Sequence, residues 1–203
     1  MTMGDQPSFI AQARREQIIK AAVETLNEIG YVNVSLAKIA KKAKISAGLI
    51  SYHFQDKDDL INHTLVYLLK KQYEYIEEKV RTQQSAYDQL IAFVGASIDY
   101  QAAHNEHNIA LIEIIFNART EENVPFYKVT NDDEDPLYAL LQNILVYGQK
   151  TQEFSEFNPK YAAIMIQGAI AESMLINGES FDSEVYKQVC IEMITRMIKR
   201  NGT

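Results

Sequence analysis

Apolar residues recur with a helical period at Ile18, Ile19, Ala22, Val23, Leu26 and Ile29, and the stripe stops at Gly30. Spacing of this kind puts one continuous apolar face on a helix, and a glycine just past its last member is a common helix terminator. A helix is therefore expected over residues 10–29. Ser35 then precedes a second amphipathic segment, with Leu36, Ile39, Ala40 and Ala43 on one face and Lys38, Lys41 and Lys42 on the other. A serine in that place caps a helix by accepting from a free backbone N–H in its first turn. Lys44-Ile45 leaves room only for a tight connection, Ser46 offers a second cap, and Ala47 to Phe54 reads as a third helix with Ile50 and Phe54 inward. Two short helices joined by a turn of this length form a helix-turn-helix candidate.

The rest of the chain repeats the helical pattern with independently marked starts. Asp56 with Asp59, and Ser85 with Asp88, have capping-box spacing, while Asp135-Pro136 and Asn158-Pro159 put a capping side chain before a proline at the first helical position. These marks predict helices from about Asp58 to Arg81, Ser85 to Ala103, Glu106 to Arg119, Pro136 to Thr151, Pro159 to Asn177 and Asp182 to Arg200. The acidic stretch 120–135, interrupted by Pro125, reads as a loop with one helical turn. With eight glycines and four prolines in 203 residues, little breaks these helices. The fold class expected is all-α: an N-terminal three-helix bundle with the helix-turn-helix, residues 10–56, and a larger helical domain, residues 57–203, about nine helices in all.

Charge is unevenly spread. The net charge is −7, which by itself opposes phosphate binding, because nucleic acid selects cationic surfaces. Residues 1–55 nevertheless carry seven Lys and Arg against four acids, a balance of +3 that leaves −10 for the remainder. The N-terminal part is the one suited to DNA. Cys190 is the single cysteine, so no intrachain disulfide forms, and residues 1–8 lack the basic and apolar regions of a secretory signal. The most apolar stretch, Ile109 to Phe116, contains Glu113 and is far shorter than the ~20 residues of a membrane span. A soluble cytoplasmic protein with no membrane association is expected.

The run from Tyr31 to Leu60, YVNVSLAKIAKKAKISAGLISYHFQDKDDL, closely resembles the N-terminal signature of TetR-family repressors. With the helix before it, the resemblance covers about a quarter of the chain, from roughly Arg14 to Leu65; beyond that only length and helical pattern are similar. It implies a dimeric repressor that binds palindromic double-stranded operator DNA and is released by a small-molecule inducer, with Tyr52 and Lys57 gripping the DNA backbone. The residues support this on their own terms. A recognition helix must be slim where it enters the major groove and flanked by phosphate donors. Ala47 and Gly48 keep the start slim, Ser46 and Ser51 offer hydroxyls, and Tyr52, His53 and Lys57 can donate to phosphates. Ser35 and Lys38, at the start of the preceding helix, complete the candidate DNA surface. Many relatives carry Lys or Arg at the place of Ala47 and an aromatic at that of Ser51, so base readout is expected to be partly indirect here.

In the larger domain Phe93, Tyr100, Ile112, Phe116, Tyr147, Met165 and Met174 fall on expected inward faces, and an aromatic and methionine lining suits an adaptable small-molecule pocket. Glu113 and Glu172 are acids in apolar sequence that would suit a cationic ligand. Ala162, Ala163, Ile166, Ala169 and Ile170 make a small apolar face expected to form the homodimer interface. His104 and His107 are three residues apart, but no Glu-x-x-His pair accompanies them and they fall at an expected helix junction; no metal and no cofactor is expected. With no nucleophile motif, phosphate loop or dinucleotide fingerprint, an enzyme is not expected. The alternative is a helical small-molecule-binding or interaction protein that has lost DNA binding.

Overall fold

The computed structural model describes residues 9–120, 122–129, 135–175 and 181–199. Among these residues it contains nine α-helices and one short 3-10 turn. The helices are α1 (Phe9–Asn33), α2 (Leu36–Ala43), α3 (Ala47–His53), α4 (Lys57–Arg81), α5 (Ala86–Ala103), α6 (Asn105–Asn117), α7 (Pro136–Lys150), α8 (Pro159–Glu172) and α9 (Ser183–Ile198). No described helix is long and apolar enough to cross a membrane.

Local signals set the boundaries. Ser35, Ser46, Ser85, Asp135, Asn158 and Asp182 each accept from a backbone N–H in the first turn that follows. In the box opening α4, the Asp59 N–H donates to Asp56 at 2.8 Å, while the Asp59 carboxylate accepts the N–H of Gln55, not of Asp56, at 2.9 Å. Gly30 interrupts α1 at φ 68°, ψ 163°, so the regular helix ends where the stripe ends. In the 120–135 stretch the 3-10 turn occupies Phe126–Lys128. The helix expected as far as Asn177 closes at Glu172. The N–H groups of Ser173, Met174 and Leu175 bond three residues back, to Ile170, Ala171 and Glu172, and the Ser173 hydroxyl donates to Ile170 O at 2.7 Å. Asn177 and Arg200 lie outside the described residues.

The backbone divides into two compact units. The first takes residues 1–69 and 106–129. Its core joins Ile18, Ala22 and Leu26 of α1 to Ile39 of α2, Ile50 of α3, Leu60 and Ile61 of α4 and Ile114 of α6. The second takes residues 70–105 and 130–203, with a core built on Leu90, Phe93 and Ile98 of α5, Leu141 and Leu145 of α7, Ala163 and Ile166 of α8 and Ile194 of α9.

Candidate nucleic-acid interface

Helices α2 and α3 are too short to be stable alone and are held by their apolar faces. Ile39, Ala40, Ala43, Ile50 and Phe54 are buried in the core they share with α1, α4 and α6. The turn between them is closed by Lys44 in left-handed backbone, φ 55° and ψ 43°, with the N–H of Lys44 and Ile45 bonded back to Lys41 and Ala40. A glycine would be the usual residue here; this chain has a lysine.

Around this frame α1 supplies four ties that sequence reasoning missed. Gln17 Nε2 donates to the carbonyl of Ala43 at 2.9 Å. The Arg15 guanidinium donates to the His53 carbonyl at the end of α3 and lies over the Phe54 ring, 4.4 Å from its centroid. It also meets His63 Nε2 of α4 at 2.9 Å. The only sequence hint is that Arg14 and Arg15 stand at the start of an amphipathic helix; the partners of Arg15 are 38 and 48 positions away.

The surface left open is the one a groove would meet. Ser46, Ala47, Gly48 and Ser51 are exposed, and Tyr52 is 80% exposed. A side chain on Gly48 would meet nothing within 4 Å, so packing in this unit does not demand glycine there. The Ser51 hydroxyl turns back to Ala47 O at 3.4 Å, and Tyr52 presents its ring edge-on to His53 at 5.0 Å. Burial, then the positive Arg15 and Arg14, push the His53 imidazole below the ordinary value of 6.5. The ring is thus neutral at pH 7 and offers one N–H but no charge. Ser35 is occupied as the α2 cap, and Lys38 Nζ donates to Asn33 O at 2.7 Å. Lys57 donates to Tyr31 O at 3.1 Å and stands 4.3 Å from the Tyr31 ring centroid. Burial lowers its ammonium from the ordinary 10.5, and Asp58 opposes that. Beside α2, Lys38, Lys41, Lys42 and Lys44 with Glu28 line a groove of about 480 Å³, a cationic strip flanking the turn.

These features compare closely with known proteins. Residues 18–64 match the family model described as bacterial regulatory proteins, tetR family. Over these residues the chain is similar to the TetR family. An HTH-type transcriptional regulator, BetI of Stenotrophomonas maltophilia, is 35% identical over 91 residues, 44% of this chain and 46% of that protein; the match thus spans about half of that relative's length. The fatty acid metabolism regulator protein of Bacillus subtilis is 25% identical over 88% of this chain and 92% of its own. The crystal structure of FadR from Bacillus subtilis in complex with stearoyl-CoA superposes with a TM-score of 0.75 at 24% identity, covering 88% of this chain and 96% of that one, a likeness in fold over most of the chain.

The residues expected to line a ligand pocket are divided between the two units, with Ile112, Glu113 and Phe116 in the first and the others in the second. Phe93 and Tyr100 are buried in the second unit, where Tyr100 stacks on His104 at 4.3 Å and tilts against Tyr75 at 5.4 Å. Phe116, Tyr147 and Met165, expected inward, are instead 61%, 44% and 64% exposed. Each lies one or two positions from a residue on the same helix's buried face: Ile114 for Phe116, Leu145 and Gly148 for Tyr147, Ala163 and Ile166 for Met165. Glu172 is exposed, Met174 and Ile112 are half-buried, and Glu113 accepts the Tyr31 N–H at 2.7 Å within the first unit. The dimer face also needs correction. Ala162, Ala163, Ile166 and Ile170 are buried in the core of their own unit, and Ala169 packs against it. Small residues let α8 approach its neighbours closely, so that stripe is consumed internally. The open apolar face of α8 is Tyr161, Ile164 and Met165, and α9 adds Val185, Val189 and Met193, all 46% exposed or more. His104 Nδ1 lies 2.9 Å from Tyr100 O, and His107 packs edge-on to Tyr67. Among the described residues no three His, Cys, Asp or Glu side chains gather as a metal would require.

Proposed function

We propose that this chain is a DNA-binding transcriptional regulator, acting as a homodimeric repressor that a small molecule releases from a palindromic operator. The observation that carries the reading is the recognition helix: α3 is capped by Ser46, anchored by Ile50 and Phe54, and open along Ser46, Ala47, Gly48, Ser51 and Tyr52. A helix so held and so bare on one side fits a major groove. Ala47 and Ser51 face the bases, Tyr52 and Lys57 the phosphates, and the α2 lysines add a diffuse attractive field. Residues 10–56 carry the DNA-binding function and residues 57–203 carry ligand binding and dimerisation, although α6 packs with the N-terminal helices. No catalysis is proposed.

The dimer is a second copy seated on the exposed apolar face of α8 and α9. Six apolar side chains stand open to solvent on α8 and α9, two helices tied by the Tyr186 hydroxyl, which donates to the Ala169 carbonyl, and exposed apolar surface of this extent marks an interaction face. Two-fold pairing would cover both copies at once. The inducer is mainly apolar or aromatic, received by the second unit near Phe93, Tyr100 and Met174. The stearoyl-CoA bound to the Bacillus subtilis FadR makes long-chain acyl thioesters the first ligands to try. Helix α4 continues from the first unit into the second, so a ligand that shifts it alters the recognition helices. Linkage then requires ligand and DNA to weaken one another by the same factor, about 5- to 150-fold on the usual scale.

Selection of binding sites from a random duplex library tests the reading. Enriched sequences should be palindromic, with half-site centres about 34–36 Å apart or a multiple of it. Failure to enrich any sequence would favour the binding protein without DNA recognition.

A further inference from the structure

Within the first unit the carboxylate of Glu113 accepts a hydrogen bond of 2.7 Å from the backbone N–H of Tyr31. Asn117, one turn further along α6, donates to the same carboxylate oxygen at 3.4 Å and to the Glu113 carbonyl at 2.9 Å. The Tyr31 amide is available because the chain leaves helical geometry at Gly30, in a region of backbone space that is essentially glycine's alone. Glycine also eases the approach, since a Cβ on Gly30 would stand 3.3 Å from the Glu113 oxygen, closer than ordinary contact. Tyr31 is engaged on its other side too. Its carbonyl and its ring together hold the ammonium of Lys57, at 3.1 Å and 4.3 Å respectively. A single residue at the α1–α2 joint thus connects a carboxylate on α6 to the first residue of α4.

We propose that Glu113 is a positioning residue for the Lys57 phosphate contact: by fixing Tyr31 it fixes the carbonyl and ring that hold the Lys57 ammonium ready for DNA. An ammonium has three donors. One is spent on Tyr31, and the other two remain for a phosphate oxygen. Lysine otherwise loses much rotamer freedom when it binds, so an ammonium already held in place binds more tightly. The inference rests on the reading of Lys57 as a DNA contact.

The test uses the full chain with its selected operator and a scrambled duplex, comparing Glu113→Ala, Glu113→Gln, Lys57→Ala and the Glu113→Ala/Lys57→Ala pair. Glu113→Ala should weaken both duplexes alike, by about five-fold, a coupling of ordinary size for linked residues. It should add nothing once Lys57 is alanine. Glu113→Gln keeps an oxygen that accepts the Tyr31 N–H and should restore binding. Additive losses in the pair, at unchanged unfolding midpoints, would overturn the proposal. Where Glu113→Ala fails to fold, Glu113→Asp withdraws the carboxylate by one methylene while keeping its charge and takes its place. A readout without DNA separates this inference from the functional reading. The Tyr31 ring shifts the Lys57 ε-methylene protons in the NMR spectrum, and Glu113→Ala should move them towards their position in an unstructured peptide. If the wild-type chain binds no DNA, the phosphate reading falls, yet this signal still decides whether Glu113 positions Lys57; an unmoved signal refutes it.

Discussion

Gly148 lies in α7 where the following loop folds back, and replacing it with alanine sets two effects against each other. Alanine in a helix is favoured over glycine by about 0.8–1 kcal/mol, so on propensity alone Gly148→Ala stabilises. The structure reverses the sign. A Cβ at this position would fall 2.1 Å, 2.3 Å and 2.7 Å from three atoms of the Phe154 ring, and Phe154 is only 4% exposed. Contacts that short cannot persist, and a caged ring has no free end to swing away. Displacing it forfeits much of the ~3–5 kcal/mol that a buried phenylalanine contributes. Set against the propensity gain, the net loss should be about 2–4 kcal/mol, or roughly 4–16 °C in the midpoint for a chain of this size. Thermal unfolding followed by circular dichroism measures it. Phe154→Ala should be destabilised on its own, and adding Gly148→Ala to it should cost almost nothing or stabilise, because the obstacle is gone. A single Gly148→Ala variant as stable as wild type would refute the reasoning.

Glu153 accepts the N–H groups of Ala86 and Tyr87, at 3.1 Å and 3.0 Å, and so caps α5 from the α7–α8 loop. Burial pushes its carboxyl up, but these two donors and the Thr151 hydroxyl outweigh burial and leave it below the ordinary 4.5. Its stabilising effect is therefore complete above that value and lost as pH falls through the folded one; the midpoint gap between wild type and Glu153→Gln should narrow as pH falls below 4.5, and a constant gap would contradict the assignment. Met193, 67% exposed on α9, should tolerate Met193→Glu with little change in subunit helicity while sedimentation shows the dimer dissociated. Ile166→Glu, at a site 1% exposed, should instead unfold the chain, and a folded Ile166→Glu monomer would return the interface to the small-residue stripe. Lys57→Ala should weaken all duplexes alike and lower the salt slope by about one per chain, an unchanged slope removing the contact.

What the sequence makes legible is what neighbouring residues decide. Ser35, Ser46, Ser85, Asp135, Asn158 and Asp182 cap groups two or three positions away, so each helix start can be read directly, and Gly30 marks the end of a stripe. The slim, exposed start of α3 is visible for the same reason. The partners that hold the site are not, because they lie far off in sequence. Nothing near Glu113 announces that it accepts from Tyr31, nor near Arg15 that it donates to His53. The choice of face fails where a helix carries two apolar stripes. In α8 the stripe of Ala162, Ala163, Ile166 and Ile170 and the stripe of Tyr161, Ile164 and Met165 both have helical spacing, and only packing reveals that the smaller residues go inside. Tyr147 and Phe116 mislead in the same way: an aromatic in an apolar run reads as interior, while its helix buries a neighbouring set.

The central claim is that α3 reads DNA sequence, and the most direct measurement is the ratio of affinities for the selected operator and a scrambled duplex of equal length at one physiological salt concentration. A sequence-specific regulator should show a ratio of about 10³ or more, falling by an amount equivalent to ~1–3 kcal/mol per affected base pair when Ser51 is replaced. A ratio near one, with tight binding to neither duplex, would contradict the account and leave a helical protein whose recognition helix recognises no DNA.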